Sequence, residues 1–122
     1  MNNSKTVAFV CLHGSAKSLI AAEYFTRLAK ERGIDARGTT SGPEPDSEIP
    51  INVIEGLRDR GIDVANKRPV LVNADALARA EYIVSFGCDP SKLVAPERQI
   101  EQWDDWRFIT AHVQHVLERM GV

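Results

Sequence analysis

Apolar residues crowd the stretch Val7-Ala8-Phe9-Val10-Cys11-Leu12 with no polar alternation. Such a run predicts a strand over residues 5–12 that is covered on both faces. Six small or polar residues follow, His13-Gly14-Ser15-Ala16-Lys17-Ser18, and read as a short loop. The period then changes. Ala21, Tyr24, Phe25 and Leu28 fall at i, i+3, i+4 and i+7, the apolar stripe of a helix that runs to about Arg32. Gly33 stands where a left-handed C-terminal cap belongs.

The pattern continues in the same alternation. Residues 34–41 form a weaker candidate strand, and Gly42-Pro43-Glu44-Pro45-Asp46 a turn-rich loop. Pro50 is placed to open a second helix at its first turn, with Ile54 and Leu57 inward and an end at Arg60-Gly61. Arg32-Gly33-Ile34-Asp35 recurs as Arg60-Gly61-Ile62-Asp63, two copies of one helix stop rather than a structural repeat. Asn73 suits the N-cap of a short helix through Ala80. Residues 82–86 predict the next strand, Gly87-Cys88-Asp89-Pro90 a turn, and residues 98–103 the last strand. Trp106, Ile109, Val113, Val116, Leu117 and Met120 share one face of a C-terminal helix closed by Gly121.

Strands alternating with helices imply right-handed crossovers. The expected fold is α/β: one domain over residues 1–122, a three-layer open twisted parallel sheet of about four strands with helices on both faces. In such a sheet the ligand site lies beyond the C-terminal ends of the strands. That directs attention to the loops after Leu12, Ser41, Phe86 and Trp103.

Composition narrows the classes. The 122 residues are 43% apolar and 26% charged, an ordinary globular balance. A formal net charge of −2 gives no support to nucleic-acid binding, which favours a basic patch. No apolar run approaches the ~20 residues of a spanning helix, so no membrane partner is expected. The polar start, Met1-Asn2-Asn3-Ser4-Lys5, does not resemble a signal peptide, and a cytoplasmic location is the expectation. Cys11 and Cys88 lie 77 positions apart, which is neither a disulfide framework nor a zinc spacing. His112 and His115 lack a third ligand, so no metal is expected there, and no organic cofactor is expected because the loop after the first strand can itself supply positive potential.

The chemistry concentrates after the first strand. A cysteine ends a buried strand; five residues later a cation opens a helix, followed by a hydroxyl. Amides of a tight loop and of a helix N-terminus make an anion cradle, here offered by Leu12, His13, Gly14, Ser15, Ala16 and Lys17. The same partial positive charge, with Lys17, favours a thiolate at Cys11. A thiolate beneath such a cradle is a nucleophile aimed at a tetrahedral oxyanion such as phosphate, sulfate or arsenate. Ser18 can hydrogen-bond that thiolate. The alternative for Cys11 is a small packed hydrophobe. Neither Gly-x-x-x-x-Gly-Lys-[Ser/Thr] nor Gly-x-Gly-x-x-Gly occurs at the loop, so no nucleotide motif is present.

Cys11, five residues and then Lys17-Ser18 resembles the low-molecular-weight protein tyrosine phosphatase superfamily, which also contains thioredoxin-coupled arsenate reductases. Its signature is Cys, five residues, then Arg-Ser/Thr after an N-terminal strand. Thr40-Ser41-Gly42, Arg60-Gly61-Ile62-Asp63, the strand Tyr82-Ile83-Val84-Ser85-Phe86 and Trp103-Asp104-Asp105 resemble further family segments in the right order. The resemblance implies a flavodoxin-like fold. It also implies hydrolysis of phosphate monoesters, on a phosphorylated protein or a small molecule, through a Cys11 phosphocysteine, with an acid at Asp105 or Asp104. Either aspartate can instead cap the C-terminal helix.

The chain departs from that pattern at defined places. Lys17 replaces an Arg whose planar fork grips two phosphoryl oxygens, so weak turnover is expected. His13 and Gly14 stand where the family has Gly and Asn, and Ala16 where many members have a second cysteine. His13 either touches a bound anion or is an exposed loop residue. Trp103 and Trp106 either wall the site or pack. Cys88 is either a structural thiol or a redox partner of Cys11, as an arsenate-reductase-like oxidoreductase would need. A non-catalytic oxyanion-binding pseudophosphatase is the further alternative, and a phosphocysteine carrier similar to the B component of sugar phosphotransferase systems lacks the downstream segments.

Overall fold

The computed structural model describes residues 5–103, 113, 114, 116, 118 and 119. Strands β1 (Lys5–Cys11), β2 (Ala36–Ser41), β3 (Tyr82–Phe86) and β4 (Ile100–Gln102) form one sheet of order β2-β1-β3-β4. Every pair is parallel. Helices α1 (Lys17–Glu31), α2 (Ile51–Arg58) and α3 (Ala74–Arg79) connect them, with a 3-10 turn at Ser91–Leu93. The open parallel α/β sheet expected from the alternation, and the flavodoxin-like fold implied by the resemblance, are the ones observed.

The unbroken apolar run of β1 is explained by its central place. Val7, Phe9 and Cys11 pack with Ala21, Ala22 and Phe25 of α1 and with the helical residues Val113 and Val116. Ala8 and Val10 point to the opposite layer, with Ile83, Leu77 and Ala80. Phe9 stands tilted against Phe25, 5.9 Å between centroids, and nearly edge-on to Trp103 at 5.6 Å. Such aromatic contacts each add about 1 kcal/mol beyond burial. A third cluster joins Leu19 of α1 to Ile49, Leu57 and Val64, which seats α2 beside α1.

The recurring Arg-Gly-Ile-Asp segments are the same device in space. Gly33 and Gly61 both have positive φ, 71° and 81°. Their amides donate to Lys30 and Arg58 carbonyls, while Ile34 and Ile62 amides reach back to Ala29 and Leu57. This double bond pattern is the Schellman helix stop.

Several boundaries differ from the sequence expectation. Ile34 is used up by the helix stop, and β2 starts at Ala36 rather than at residue 34. Leu12 leaves the sheet, its carbonyl taken by the Glu44 amide. Pro50 stands outside α2 with extended backbone, and its carbonyl accepts from the Val53 and Ile54 amides. It therefore caps α2 instead of filling its first turn. The last strand is only Ile100–Gln102. Asn73 does cap α3, its Oδ1 accepting from the Ala76 amide at 3.0 Å. Trp106, Ile109, Leu117, Met120 and Gly121 lie outside the described residues. Among the described residues no helix is long and apolar enough to cross a membrane.

Packing of α1 on β2 leaves no room at Gly38, where a Cβ would lie 2.7 Å from Ala22 Cα. Gly56, inside α2, has nothing within 4 Å of the same point. Gly38→Ala should therefore destabilise by about 1–3 kcal/mol in urea titration, whereas Gly56→Ala should stabilise by about 0.5–1 kcal/mol.

Candidate active site

Three elements meet at Cys11. As the last residue of β1 it faces α1, with only 8% of its surface exposed. Because α1 begins at Lys17, Ser18 sits in its first turn, and Ser18 Oγ lies 3.0 Å from Cys11 Sγ. The β1–β2 register pairs Phe9 with Thr40 and so puts Thr40 on the same face as Cys11. Thr40 Oγ1 is 2.6 Å from Ser18 Oγ and 3.4 Å from the Gly14 carbonyl.

This chain of hydroxyls can be polarised in two ways, since each hydroxyl has one proton to give. With a neutral thiol, Cys11 donates to Ser18, Ser18 to Thr40, and Thr40 to the Gly14 carbonyl. With a thiolate, Thr40 donates to Ser18 and Ser18 to sulfur. The thiolate arrangement keeps both short contacts and gives up only the 3.4 Å bond. Ser18 is fully buried, so nothing in solvent competes for its proton.

The loop from Leu12 to Ala16 is held from behind by residues 40–46. The Leu12 carbonyl accepts from the Glu44 amide at 3.0 Å and the His13 carbonyl from the Asp46 amide at 3.2 Å. Peptide units are planar and trans, so an amide points opposite to the carbonyl of its own unit. Tying the Leu12 and Gly14 carbonyls toward residues 40–46 turns the His13 and Ser15 amides away from that segment. The first amides of α1 have no acceptor within the helix. Ala16, its capping residue, makes no side-chain cap bond. The Gly14 amide, expected to face an anion, is instead spent on the Cys11 carbonyl at 3.2 Å, so the donors left for an anion cradle are those of the rest of the loop and of the start of α1.

Glycine is what lets this segment close up. Gly14 has φ 61°, a left-handed bend open to glycine at no steric cost. It stands where the family pattern has Asn, another residue that tolerates this bend. Gly42 is wedged against the loop: a Cβ there would lie 2.4 Å from the Cys11 carbonyl oxygen and 2.6 Å from that of Leu12.

Two side chains of the loop bind the same backing segment. Ser15 Oγ, in a buried residue, donates to Asp46 Oδ2 at 2.7 Å. His13 Nδ1 lies 2.9 Å from the Glu44 carbonyl, a bond in which nitrogen is the donor, and 3.6 Å from Asp46 Oδ1. His13 is thus half-exposed at the rim, engaged with protein on its Nδ1 side. Lys17 opens α1 with its side chain exposed.

Cys88 is not brought to Cys11. It packs on the other layer of the sheet, beside the cluster of Ala8, Val10, Leu77 and Ile83. Ser85 Oγ donates to its carbonyl at 2.6 Å and lies 3.2 Å from its sulfur. Trp103 is buried against Phe9 and Phe86 on the Cys11 side, so its large area goes into packing. Asp104, Asp105, Trp106, His112 and His115 lie outside the described residues. Neither Thr40 nor Asp46 is expected from sequence to touch the thiol or its loop. Thr40 enters there only as part of the family-like segment Thr40-Ser41-Gly42, and Asp46 only as part of a turn-rich loop.

A family model for "Low molecular weight phosphotyrosine protein phosphatase" matches residues 6–119. An arsenate reductase of Bacillus cereus is 26% identical over 102 residues, which cover 79% of this chain and 68% of that protein. Among solved structures, a thioredoxin-dependent arsenate reductase of Corynebacterium glutamicum superposes with a TM-score of 0.79 at 23% identity, over 96% of this chain and 61% of that one. The chain thus spans less than two thirds of that protein. A low molecular weight protein tyrosine phosphatase of T. tengcongensis superposes with a TM-score of 0.74 at 15% identity, covering 95% and 99%.

The Ser15–Asp46 bond is a test of how the loop is held. Ser15→Ala removes a charge-assisted hydrogen bond but leaves Asp46 partly reachable by water, so the expected loss is about 1 kcal/mol. A thermal melt of the variant against wild type measures it.

Proposed function

The chain belongs to the low molecular weight phosphotyrosine protein phosphatase family, and from that premise we propose that it hydrolyses phosphate monoesters through a phosphocysteine at Cys11. The observation that carries this reading is the 3.0 Å contact of Cys11 Sγ with Ser18 Oγ beside the uncapped start of α1. A buried thiol with a hydroxyl donor and unsatisfied amides around it has the parts of a nucleophile facing an oxyanion.

The reaction has two displacements. Cys11 thiolate attacks phosphorus, the S–P bond forms, and the bond to the leaving oxygen breaks. That oxygen takes a proton from a carboxylic acid, for which Asp104 and Asp105 are the candidates. The chain enters them from Trp103, which packs in the same cluster as Cys11. Water then attacks phosphorus and gives its proton to the carboxylate. The S–P bond breaks, phosphate leaves, and Ser18 and Thr40 stabilise the returning thiolate. Amides of the loop and of the first turn of α1, other than that of Gly14, which donates to the Cys11 carbonyl, and the Lys17 ammonium hold the phosphoryl oxygens. An ammonium supplies charge without the two-pronged grip of a guanidinium, so the transition state is held less well.

A second reading is favoured by the relative named for arsenate reduction and by the presence of a second thiol. Arsenate would meet Cys11 in the same first displacement, and reduction would then require a second thiol to attack the Cys11–arsenic adduct. Cys88 faces the other layer of the sheet, so an internal disulfide demands that residues 87–90 move, or that an external thiol take the part.

Turnover of an aryl phosphate by wild type, Cys11→Ser, Ser18→Ala and Lys17→Arg separates these readings. Cys11→Ser should be inactive, Ser18→Ala should lose about tenfold or more, and Lys17→Arg should gain at least about tenfold. Equal activity in wild type and Cys11→Ser would remove the nucleophile assignment. A Cys11–Cys88 disulfide found by mass spectrometry after incubation with arsenate and a thiol donor would replace hydrolysis by reduction.

A further inference from the structure

The outer edge of the sheet carries a cleft whose lining includes Gly14 and Thr40 of the thiol relay and extends beyond them to Arg37, Lys67 and Arg68. It has a volume of about 380 Å³ and follows β2 on the side away from β1. In a parallel pair, alternate residues direct both amide and carbonyl to one neighbour. The Lys5 amide bonds to the Asp35 carbonyl, so odd-numbered residues of β2 serve β1 and even-numbered ones face the edge. Of these, the Gly38 amide is taken by Thr26 Oγ1 at 2.9 Å. Both backbone groups of Gly42 are taken by Val70 and Val72, each at 3.0 Å. Between them the Thr40 amide and carbonyl have no protein partner among the described residues. There the cleft opens, with Lys67, Arg68 and Val70 in its lining.

The charge of this cleft opposes that of the chain. The whole chain is net negative, at −2, yet the cleft presents Arg37, Lys67 and Arg68 against one carboxylate, Glu23. Lys67 is neutralised by Glu23 at 2.9 Å. That leaves two exposed guanidinium groups without a carboxylate partner among the described residues. Val70 and Leu71, 52% and 61% exposed, supply apolar wall at the same place. Guanidinium forks, a free strand amide and apolar wall suit a small organic anion.

We propose that the cleft along β2 is a second ligand site, distinct from the Cys11 cradle, that binds a small organic polycarboxylate through Arg37, Arg68 and the Thr40 amide. It does not rest on the phosphatase reading. Phosphate esters are the other carriers of such charge, but the tetrahedral cradle at Cys11 competes for them, so a planar carboxylate is the discriminating probe.

Titration of the whole chain with citrate, followed by amide and guanidinium proton–nitrogen NMR, tests this. Saturable shifts are expected at the Thr40 amide and at the Arg37 and Arg68 side chains. The double variant Arg37→Gln/Arg68→Gln should weaken citrate by at least about tenfold, the size of losing one charged hydrogen bond. Arg37→Lys/Arg68→Lys, which keeps charge and loses the fork, should fall between the two. Both pairs replace exposed side chains, and the rest of the spectrum reports that the fold is kept. Three results would overturn the site: shifts confined to residues 12–18, shifts matched by sodium chloride at equal ionic strength, or an unchanged citrate affinity in the Gln double variant.

Discussion

The parallel pairing of β1 with β2 is the constraint on which the rest of the structure depends. Its register, Phe9 to Thr40 and Val10 to Ser41, ends both strands at the same level. From that level the Cys11 loop leaves one strand and residues 42–46 leave the other, so each can bond the other's backbone. A slip of one residue would send Thr40 to the far face and detach it from Ser18. Gly38 against Ala22 and Gly42 against the Cys11 and Leu12 carbonyls hold the register tightly, because both contacts are backbone to backbone. The geometry around the thiol is therefore set by strand alignment before any functional side chain is chosen.

Much of this was legible along the chain. The apolar run of β1, the stripe of α1 and the twin helix stops are local signals, set by residues within one or two turns, and the structure keeps them. Cys11 and Ser18 could be paired in advance because strand, loop and helix start follow one another without a break. Thr40, Asp46 and Gly42 could not, since their partners lie 22 to 31 residues away and no periodicity marks such a contact. The same holds for Gly42 bridging to Leu71, which closes the end of β2 with a stretch that the pattern assigns to no element. Pro50 misled by one position: its fixed φ suits a helix start, but its carbonyl, rather than its ring, does the capping.

The two cysteines show why pairing cannot be inferred from number alone. β1 alternates, so Cys11 goes to the layer of α1 while the turn after β3 lays Cys88 against the layer of α3. The sheet stands between them. Any redox link between these thiols is consequently a question about how far the turn at residues 87–90 can travel, and Ser85 and Gln102 both hold its Cys88 carbonyl in place.

The start of helix α1 also bears on stability. Its first turn is left without a side-chain cap because Ala16 has nothing to offer. An anion lodged over that turn would complete the helix and fill the cradle with the same hydrogen bonds. Occupancy and resistance to melting are then linked quantities, in the sense that any ligand of the folded state raises stability by mass action. The choice of buffer anion thereby becomes part of the protein's thermodynamics, and a phosphate buffer would shelter the fold while it competes for the site.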